Sequence, residues 1–304
     1  MKIGFMGRTS ILVDTIKLIL KETNNEVSFI WTSKEEPYYN CNSDVFKNIS
    51  KSINCPFIYS PSTSSIKELP LADIVISVNF VNIIPEPFLT KFKYGVLNAH
   101  SGDLPRYRGN ACPNWAIINN ENFIKLTVHE MCRELDNGPI YSQSKFKINQ
   151  NTYIYDIHRW IIEETPKLFL EALQKIECGV KPRKQSGRAL RVFPRKPEDG
   201  RLDFSKGVDW NYRLIRASSD PFDGAFCYLN NEDTKVVIKR ASPVNLGYDF
   251  FAIDGQIIDL DTMHNDFVIS IGNEALKIEE FIIDDLNKEK SFNLISGSMR
   301  NRLI

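Results

Sequence analysis

Asp73-Ile-Val-Ile-Ser-Val78 and Tyr94-Gly-Val-Leu-Asn-Ala99 are two short, almost unbroken apolar runs. Runs of this length and β-branched content suit strands buried on both faces of a sheet, where polar residues need not alternate. Between them, Ile84 to Phe92 reads as a short helix introduced by Pro85. The same alternation extends upstream. Lys2-Ile-Gly-Phe-Met-Gly7 reads as a strand, and Ser10 to Lys21 spaces Ile11, Leu12, Thr15, Ile16, Leu18 and Ile19 at helical intervals. Glu26 to Thr32 is a second strand, about 43–53 a weaker helix, and a short strand follows Pro56. Strands alternating with helices predict a Rossmann-like α/β fold with a doubly wound, mostly parallel sheet. Ligands of such sheets gather at the carboxyl ends of the strands.

Past residue 120 the texture changes. Lys125 to Met131 and Ile140 to Ile148 read as strands separated by Glu134-Leu-Asp-Asn-Gly138, a stretch with turn chemistry. A long amphipathic helix follows from about Tyr155 to Ile176, with a bend expected at Pro166. Residues 181–201 then carry eight basic side chains against Glu198 and Asp199, a net of +6, among Pro182, Pro194 and Pro197. They read as a linker with room to lie across a site. Beyond it, short β-like runs at Ala225–Leu229, Lys235–Lys239, Gln256–Ile258, Phe267–Ile271 and Leu276–Phe281 predict a second, smaller, mainly β domain, OB-like in strand count. The expected organisation is therefore a first domain at 1–180, a basic linker at 181–201 and a C-terminal domain at 202–304.

Composition excludes several classes. The 304 residues hold 38 Lys+Arg and 38 Asp+Glu, so no excess positive charge supplies a footprint for nucleic acid over the whole surface. No apolar run approaches the roughly 20 residues of a membrane span, and the N-terminus lacks the pattern of a secretory signal, so a cytoplasmic protein is expected. The six cysteines form no C-x-x-C pair, which argues against a redox motif or structural zinc. His129 and Cys132 have a metal-like spacing without a second ligand pair, and read as residues of a buried strand; no metal is expected. Gly4-x-x-Gly7 lacks the third glycine of a dinucleotide fingerprint, and no P-loop occurs.

The densest chemistry lies at Asn98-Ala-His100-Ser-Gly-Asp-Leu-Pro105-Arg-Tyr-Arg-Gly109-Asn-Ala-Cys-Pro113-Asn-Trp115. Asn98 and His100 stand at the carboxyl end of a buried strand, two residues apart and so on one face. An amide can donate to a developing oxyanion while an imidazole polarises it or moves a proton near neutral pH. Asn and His at such a strand end also occur simply to satisfy it, so the pair alone leaves both readings open.

This stretch resembles the signature of the formyltetrahydrofolate-dependent formyltransferases, Asn-x-His-x-Ser-Leu-Leu-Pro followed by an Arg-Gly turn. The family's second signature, a Leu-Asp-x-Gly turn, is matched by Leu135-Asp136-Asn137-Gly138 at the family's distance from His100. The specific matches span about 60 residues and a weaker likeness runs from residue 2 to about 180. Ser101-Gly102-Asp103 departs from the common pattern, although Leu104-Pro105 is kept. The resemblance implies formyl transfer from the co-substrate N10-formyltetrahydrofolate to a primary amine through a tetrahedral intermediate. Asn98 would donate to its oxyanion, His100 would help stabilise it, and Asp136 would orient His100 and assist proton removal. It further implies a pterin held largely by backbone groups, here at Asn79, Phe80, Val81, Asn82, Ile83 and Ile84 with help from the Asp136 turn. A non-catalytic relative that only binds folate or a sugar nucleotide would lack reason to keep the complete Asn98, His100 and Asp136 set.

Arg-Tyr-Arg-Gly-x-x-x-Pro-x-Trp resembles the branch that contains methionyl-tRNA and nucleotide-sugar N-formyltransferases. A tRNA acceptor needs extensive phosphate contact, yet residues 182–304 hold 18 basic and 19 acidic side chains, and 33–50 hold only Lys34 and Lys47 against Glu35, Glu36 and Asp44. The segments Val192-Phe-Pro-Arg-Lys-Pro-Glu-Asp-Gly-Arg-Leu-Asp-Phe204 and Ile215-Arg-Ala-Ser-Ser-Asp-Pro-Phe-Asp-Gly-Ala-Phe226 look like those of sugar N-formyltransferases. The expected acceptor is thus a dTDP- or UDP-linked amino-deoxysugar for surface polysaccharide such as O-antigen, with methionyl-tRNA as the alternative and a homodimer suggested by sugar-modifying relatives. Arg106, Arg108 and Arg195 are candidates for the diphosphate, and Tyr107, Phe222 and Trp115 for stacking on a base or sugar.

Overall fold

The computed structural model describes residues 1–33, 41–63, 68–80, 82–230, 233–298 and 300–304. Its first part runs β1 (Lys2–Gly7), α1 (Ser10–Glu22), β2 (Glu26–Thr32), α2 (Ser43–Ser52), β3 (Phe57–Tyr59), β4 (Ile74–Val78), α3 (Glu86–Leu89), β5 (Val96–His100) and β6 (Arg108–Gly109). Then come α4 (Cys112–Ile118), β7 (Phe123–Glu130), β8 (Ile140–Lys147), α5 (Ile154–Glu177) and β9 (Arg191–Val192). The remainder holds α6 (Gly207–Ser218), β10 (Ala225–Tyr228), β11 (Lys235–Val244), β12 (Ile257–Asp261), β13 (Asp266–Ile271), β14 (Glu274–Ile283) and α7 (Lys288–Ser296). Two compact units divide the chain, and neither is one continuous stretch. The first takes Met1–Cys112, Ile124–Phe146 and Arg159–Val192, and the second takes Pro113–Phe123, Lys147–His158 and Phe193–Ile304.

In the first unit seven strands pair in the order β3-β2-β1-β4-β5-β7-β8. Pairing is parallel from β3 through β5, and β7 joins β5 antiparallel. This is the expected mostly parallel, doubly wound sheet. Each face carries its own apolar layer, as buried parallel strands require. Ile3, Phe5, Ile74, Ile76 and Leu97 pack with Ile16 of α1 and with Leu168, Phe169 and Leu173 of α5. Met6, Phe29, Trp31, Val75 and Val96 pack with Phe88 and Leu89 of α3 on the other. The long helix runs as one element across Pro166.

Two glycines of β1 have packing reasons rather than phosphate-binding ones. A Cβ on Gly4 would stand 2.3 Å from the Phe29 ring, which lies across the β1–β2 pair. Gly7 has φ +152, and a Cβ there would meet the Val78 carbonyl oxygen at 2.0 Å.

The second unit contains an antiparallel sheet ordered β10-β11-β14-β13-β12. The C-terminal residues bridge its two edges: the Leu303 N–H donates to Gly255 O at 2.8 Å and the Ile304 N–H to Tyr228 O at 2.8 Å. Both α6 and α7 fall where the sequence reading has only strands and loops. Helix α6 buries Val208, Tyr212, Leu214 and Ile215, but also Asn211 and Arg216. Those polar residues conceal the apolar stripe, and each donates to backbone carbonyls of the second unit. Arg216 donates to Asn149 O and Thr152 O, and Asn211 to Asp203 O and Gly207 O.

Gly4→Ala should lower stability by about 1–3 kcal/mol, the usual cost of overpacking a filled core. The measurement is a shift of the urea midpoint at unchanged m-value.

Candidate active site

The site begins with strand register. In the β5–β7 pair Asn98 lies opposite His129 and His100 opposite Thr127. Opposed residues of an antiparallel pair share a face, as do residues two apart on one strand. Asn98, His100, Thr127 and His129 therefore stand together on one side of the sheet. Thr127 accepts from Gln143 and donates to Gly102 O at 2.9 Å, which ties the loop after β5 back onto β7. That loop is close to the His100 imidazole: a Cβ on Gly102 would meet Tyr107 O at 2.3 Å and His100 Nε2 at 2.4 Å. Asp103 takes an ion pair from Lys125 at 2.8 Å.

Asp136 arrives on the β7–β8 connection in a left-handed conformation, φ 52. The Glu130 N–H donates to Pro139 O at 2.9 Å and closes this loop at its neck. A side chain on Gly138 is impossible without moving the neck, since its Cβ would fall 1.6 Å from Glu130 O. The Asp136 carboxylate accepts from the Gly109 N–H at 2.9 Å. Its Oδ2 lies 3.6 Å from His100 Nδ1, and its Oδ1 lies 3.7 Å from His129 Nε2. The other nitrogen of each ring faces a carbonyl: His100 Nε2 is 2.6 Å from Tyr107 O, and His129 Nδ1 is 2.9 Å from Glu130 O. With those nitrogens donating, both imidazoles turn a lone pair toward the carboxylate.

The structure sets His100 3.6 Å from Asp136 and Asn98 on the same face of β5, with His129 and Cys112 beside them. His129 is a buried strand residue, as read, but it is also the neighbour of Asp136. Cys132 is exposed and lies beyond β7, so it is not part of that strand. Cys112 donates to Tyr107 O at 3.0 Å, and its thiol, pushed up to about 12 chiefly by burial, stays protonated. Among the described residues no group of His, Cys, Asp and Glu is arranged to hold a metal ion.

Residues 183–192, read as part of a linker, are built into this corner. Arg183 exchanges two backbone hydrogen bonds with Ile140, each 2.8 Å. β9 pairs in parallel with β6, the strand that holds Gly109. The Gln185 amide donates to Asp136 O at 2.7 Å and Gly138 O at 2.8 Å. Sequence pattern gives no signal for Gln185, a neutral residue among arginines.

Two expected substrate contacts change role. Tyr107 is 1% exposed, so its side chain is core and only its carbonyl joins the site. Arg108 is committed inside the unit: its Nη2 donates to Asn137 Oδ1 at 2.5 Å and to Gln185 Oε1 at 2.7 Å. It braces the Asp136 turn instead of reaching for a diphosphate. Arg106 lies half-exposed over the Tyr107 ring, 3.9 Å from Asp103. Arg195 and Phe222 belong to the second unit and have partners there. Arg195 stacks over Trp115 at 5.8 Å and donates to Asp199 O, and Phe222 meets His158 edge-on.

The expected pterin segment offers backbone more than side chains. Asn79 has φ 51 and its carbonyl accepts from Arg8. Phe80 packs edge-on against Trp31, Asn82 donates to Pro61 O, and Ile84 is buried in the core. Ile83 is 95% exposed. Val81 lies outside the described residues, as do Lys34, Glu35 and Glu36.

Burial first, and the neighbouring His100 second, push the His129 imidazole down to about 4. Unfolding returns it to about 6.5, so between these values the unfolded chain binds a proton that the folded chain refuses. Stability is therefore undiminished above about pH 6.5 and falls as pH drops toward 4. His158, lowered by burial, adds to the same trend. His129→Gln should flatten part of the decline, measured as melting temperature across pH 4–6.5.

Residues 1–173 match the formyl transferase family, and residues 195–297 match the formyl transferase C-terminal domain. Among solved structures, HypX from Aquifex aeolicus in complex with tetrahydrofolic acid is similar at TM-score 0.65 and 20% identity, over 97% of this chain and 47% of that one. The chain thus spans about half the length of HypX. The N-formyltransferase from Helicobacter canadensis, in complex with folinic acid and dTDP-3-aminofucose, is similar at TM-score 0.68 and 19% identity, over 92% of this chain and 99% of that one. Methionyl-tRNA formyltransferase from Clostridium thermocellum is similar at TM-score 0.53 and 16% identity, over 80% of this chain and 93% of that one. At such identities these three share the fold, whereas the family match itself spans more than half of the sequence. The chain belongs to the formyl transferase family.

Proposed function

We propose that the enzyme moves a formyl group from N10-formyltetrahydrofolate to the amino group of a dTDP- or UDP-linked amino-deoxysugar, in the building of a surface polysaccharide. The observation that carries the chemistry is the convergence of Asn98, His100 and the Asp136 carboxylate in one corner of the first unit. The folate supplies the formyl carbon. Its fit is supported by the described residues of the 79–84 segment, where Phe80 and Ile84 are occupied in packing while Ile83 stays exposed.

In this reading the half-buried Asn98 amide donates to the formyl oxygen as the amine nitrogen bonds to the formyl carbon. Negative charge gathers on that oxygen, and a preoriented donor stabilises it without reorganising. His100, held through Nε2 by the Tyr107 carbonyl, turns Nδ1 toward Asp136. Together they take the proton that the attacking amine must lose and return it to the nitrogen released from the formyl carbon. Holding Asp136 by the Gly109 N–H fixes the carboxylate before substrate arrives.

The near balance of 18 basic and 19 acidic residues over 182–304 supports a small acceptor over a tRNA, because phosphate neutralisation supplies most of the affinity for nucleic acid. Overall likeness to an enzyme crystallised with dTDP-3-aminofucose supports the same choice.

Asn98→Ala, His100→Ala and Asp136→Ala should each lower turnover by roughly 100- to 1000-fold with the fold retained. Wild-type turnover in any one would remove that residue from the assignment. For the acceptor, N10-formyltetrahydrofolate is offered with dTDP-3-aminofucose, with UDP-linked 4-amino sugars and with methionyl initiator tRNA. A gain of roughly 28 Da, one CO, on a sugar nucleotide is the expected result. Formylation of the tRNA alone would reverse the choice.

A further inference from the structure

We infer that Gln185 is a positioning residue for Asp136, and that residues 183–192 are a structural part of the catalytic corner. The inference rests on the catalytic role proposed for Asp136. It starts from what holds that residue. Asp136 sits in a left-handed backbone conformation on an exposed connection, in a turn whose own bonds are few. Such a turn does not by itself fix a carboxylate to the accuracy that proton transfer demands.

Residues 183–192 supply the missing constraints from both ends of Asp136. At the main chain, one side-chain amide spans the turn, with Gln185 Nε2 donating to Asp136 O and to Gly138 O. At the carboxylate, the donor is the Gly109 N–H, and Gly109 is a residue of β6, which pairs with β9. Around it, the Arg108 N–H donates to Leu190 O at 2.9 Å and the Asn110 N–H to Val192 O at 3.2 Å. The two holds are joined by Arg108, whose Nη2 donates to Gln185 Oε1 and to Asn137 Oδ1. Among the described residues Gln185 is thus the side chain that both donates to the turn and accepts from its brace. Only an amide has both functions at this length: a glutamate could accept from Arg108 but not donate to two carbonyls, and a methionine could do neither.

The test is a double-mutant cycle on the full chain, assayed with N10-formyltetrahydrofolate and the acceptor of the panel that takes the formyl group. Gln185→Met and Gln185→Glu should each lower kcat by about 10- to 100-fold, the scale expected when a reacting group is misplaced by about 1 Å, with KM for the acceptor changed far less. In an Asp136→Asn background the further loss from Gln185→Met should shrink to about twofold or less, because a residue that acts through Asp136 has nothing left to position. An equal loss in both backgrounds, a wild-type kcat for Gln185→Met, or a wild-type rate for Gln185→Glu would overturn the inference. Thermal melts of every variant separate loss of fold from loss of position, and the assay is run well below the lowest midpoint. Asp136→Asn alone reports separately on the catalytic reading: wild-type turnover there sinks the role of Asp136 itself. Low turnover there with additive losses sinks only Gln185.

Discussion

Antiparallel pairing of Phe123–Glu130 against Val96–His100 places Asn98 opposite His129 and His100 opposite Thr127. Everything else in this corner of the first unit depends on that register. A slip of β7 by one residue would turn Thr127 and His129 away from Asn98 and His100 to the opposite face, where Leu97, Leu126 and Val128 pack into the core with α1 and α5. The register is secured because Leu97, Leu126 and Val128 must be buried on that face, so the same apolar alternation that stabilises the sheet also aims its polar residues. The reversal of direction at β7 adds a short connection to β8, and on it sits Asp136.

Charges in this corner are held by backbone groups far more than by counter-ions. Tyr107 O, Glu130 O and the Gly109 N–H each take one bond from or to His100, His129 and Asp136. Carbonyls and amides carry no net charge and do not titrate. They orient imidazoles and carboxylate without adding a charge to the corner. Lys125 and Asp103 pair with each other nearby, and Arg108 is turned onto Asn137 and Gln185.

Much of this could be read in the residues alone, and the division between what could and what could not is physical. The apolar runs of β4 and β5, the periodicity of α1 and α5, and the pairing of Asn98-x-His100 with Leu135-Asp136-Asn137-Gly138 are local signals, each complete within a few residues. Residues 183–192 were harder. Composition marks them as basic and proline-rich, and a linker is the simplest such segment; their partners at 104–110 and 136–140 are far away in sequence, and no local pattern encodes that pairing. Arg108 and Tyr107 mislead for the same reason, since an arginine or a tyrosine beside a motif looks available until its burial is known. Helix α6 escaped notice because buried Asn211 and Arg216 break its apolar stripe.

Around His100 and Asp136 the walls are largely peptide. Gly102 and Gly138 leave no room for a single added carbon. A wall without side chains cannot be adjusted by point substitution, because every substitution there adds atoms where none fit. Change in this chain must then be written away from these two glycines. For anyone redesigning this enzyme, the corner is a fixed part to be inherited whole.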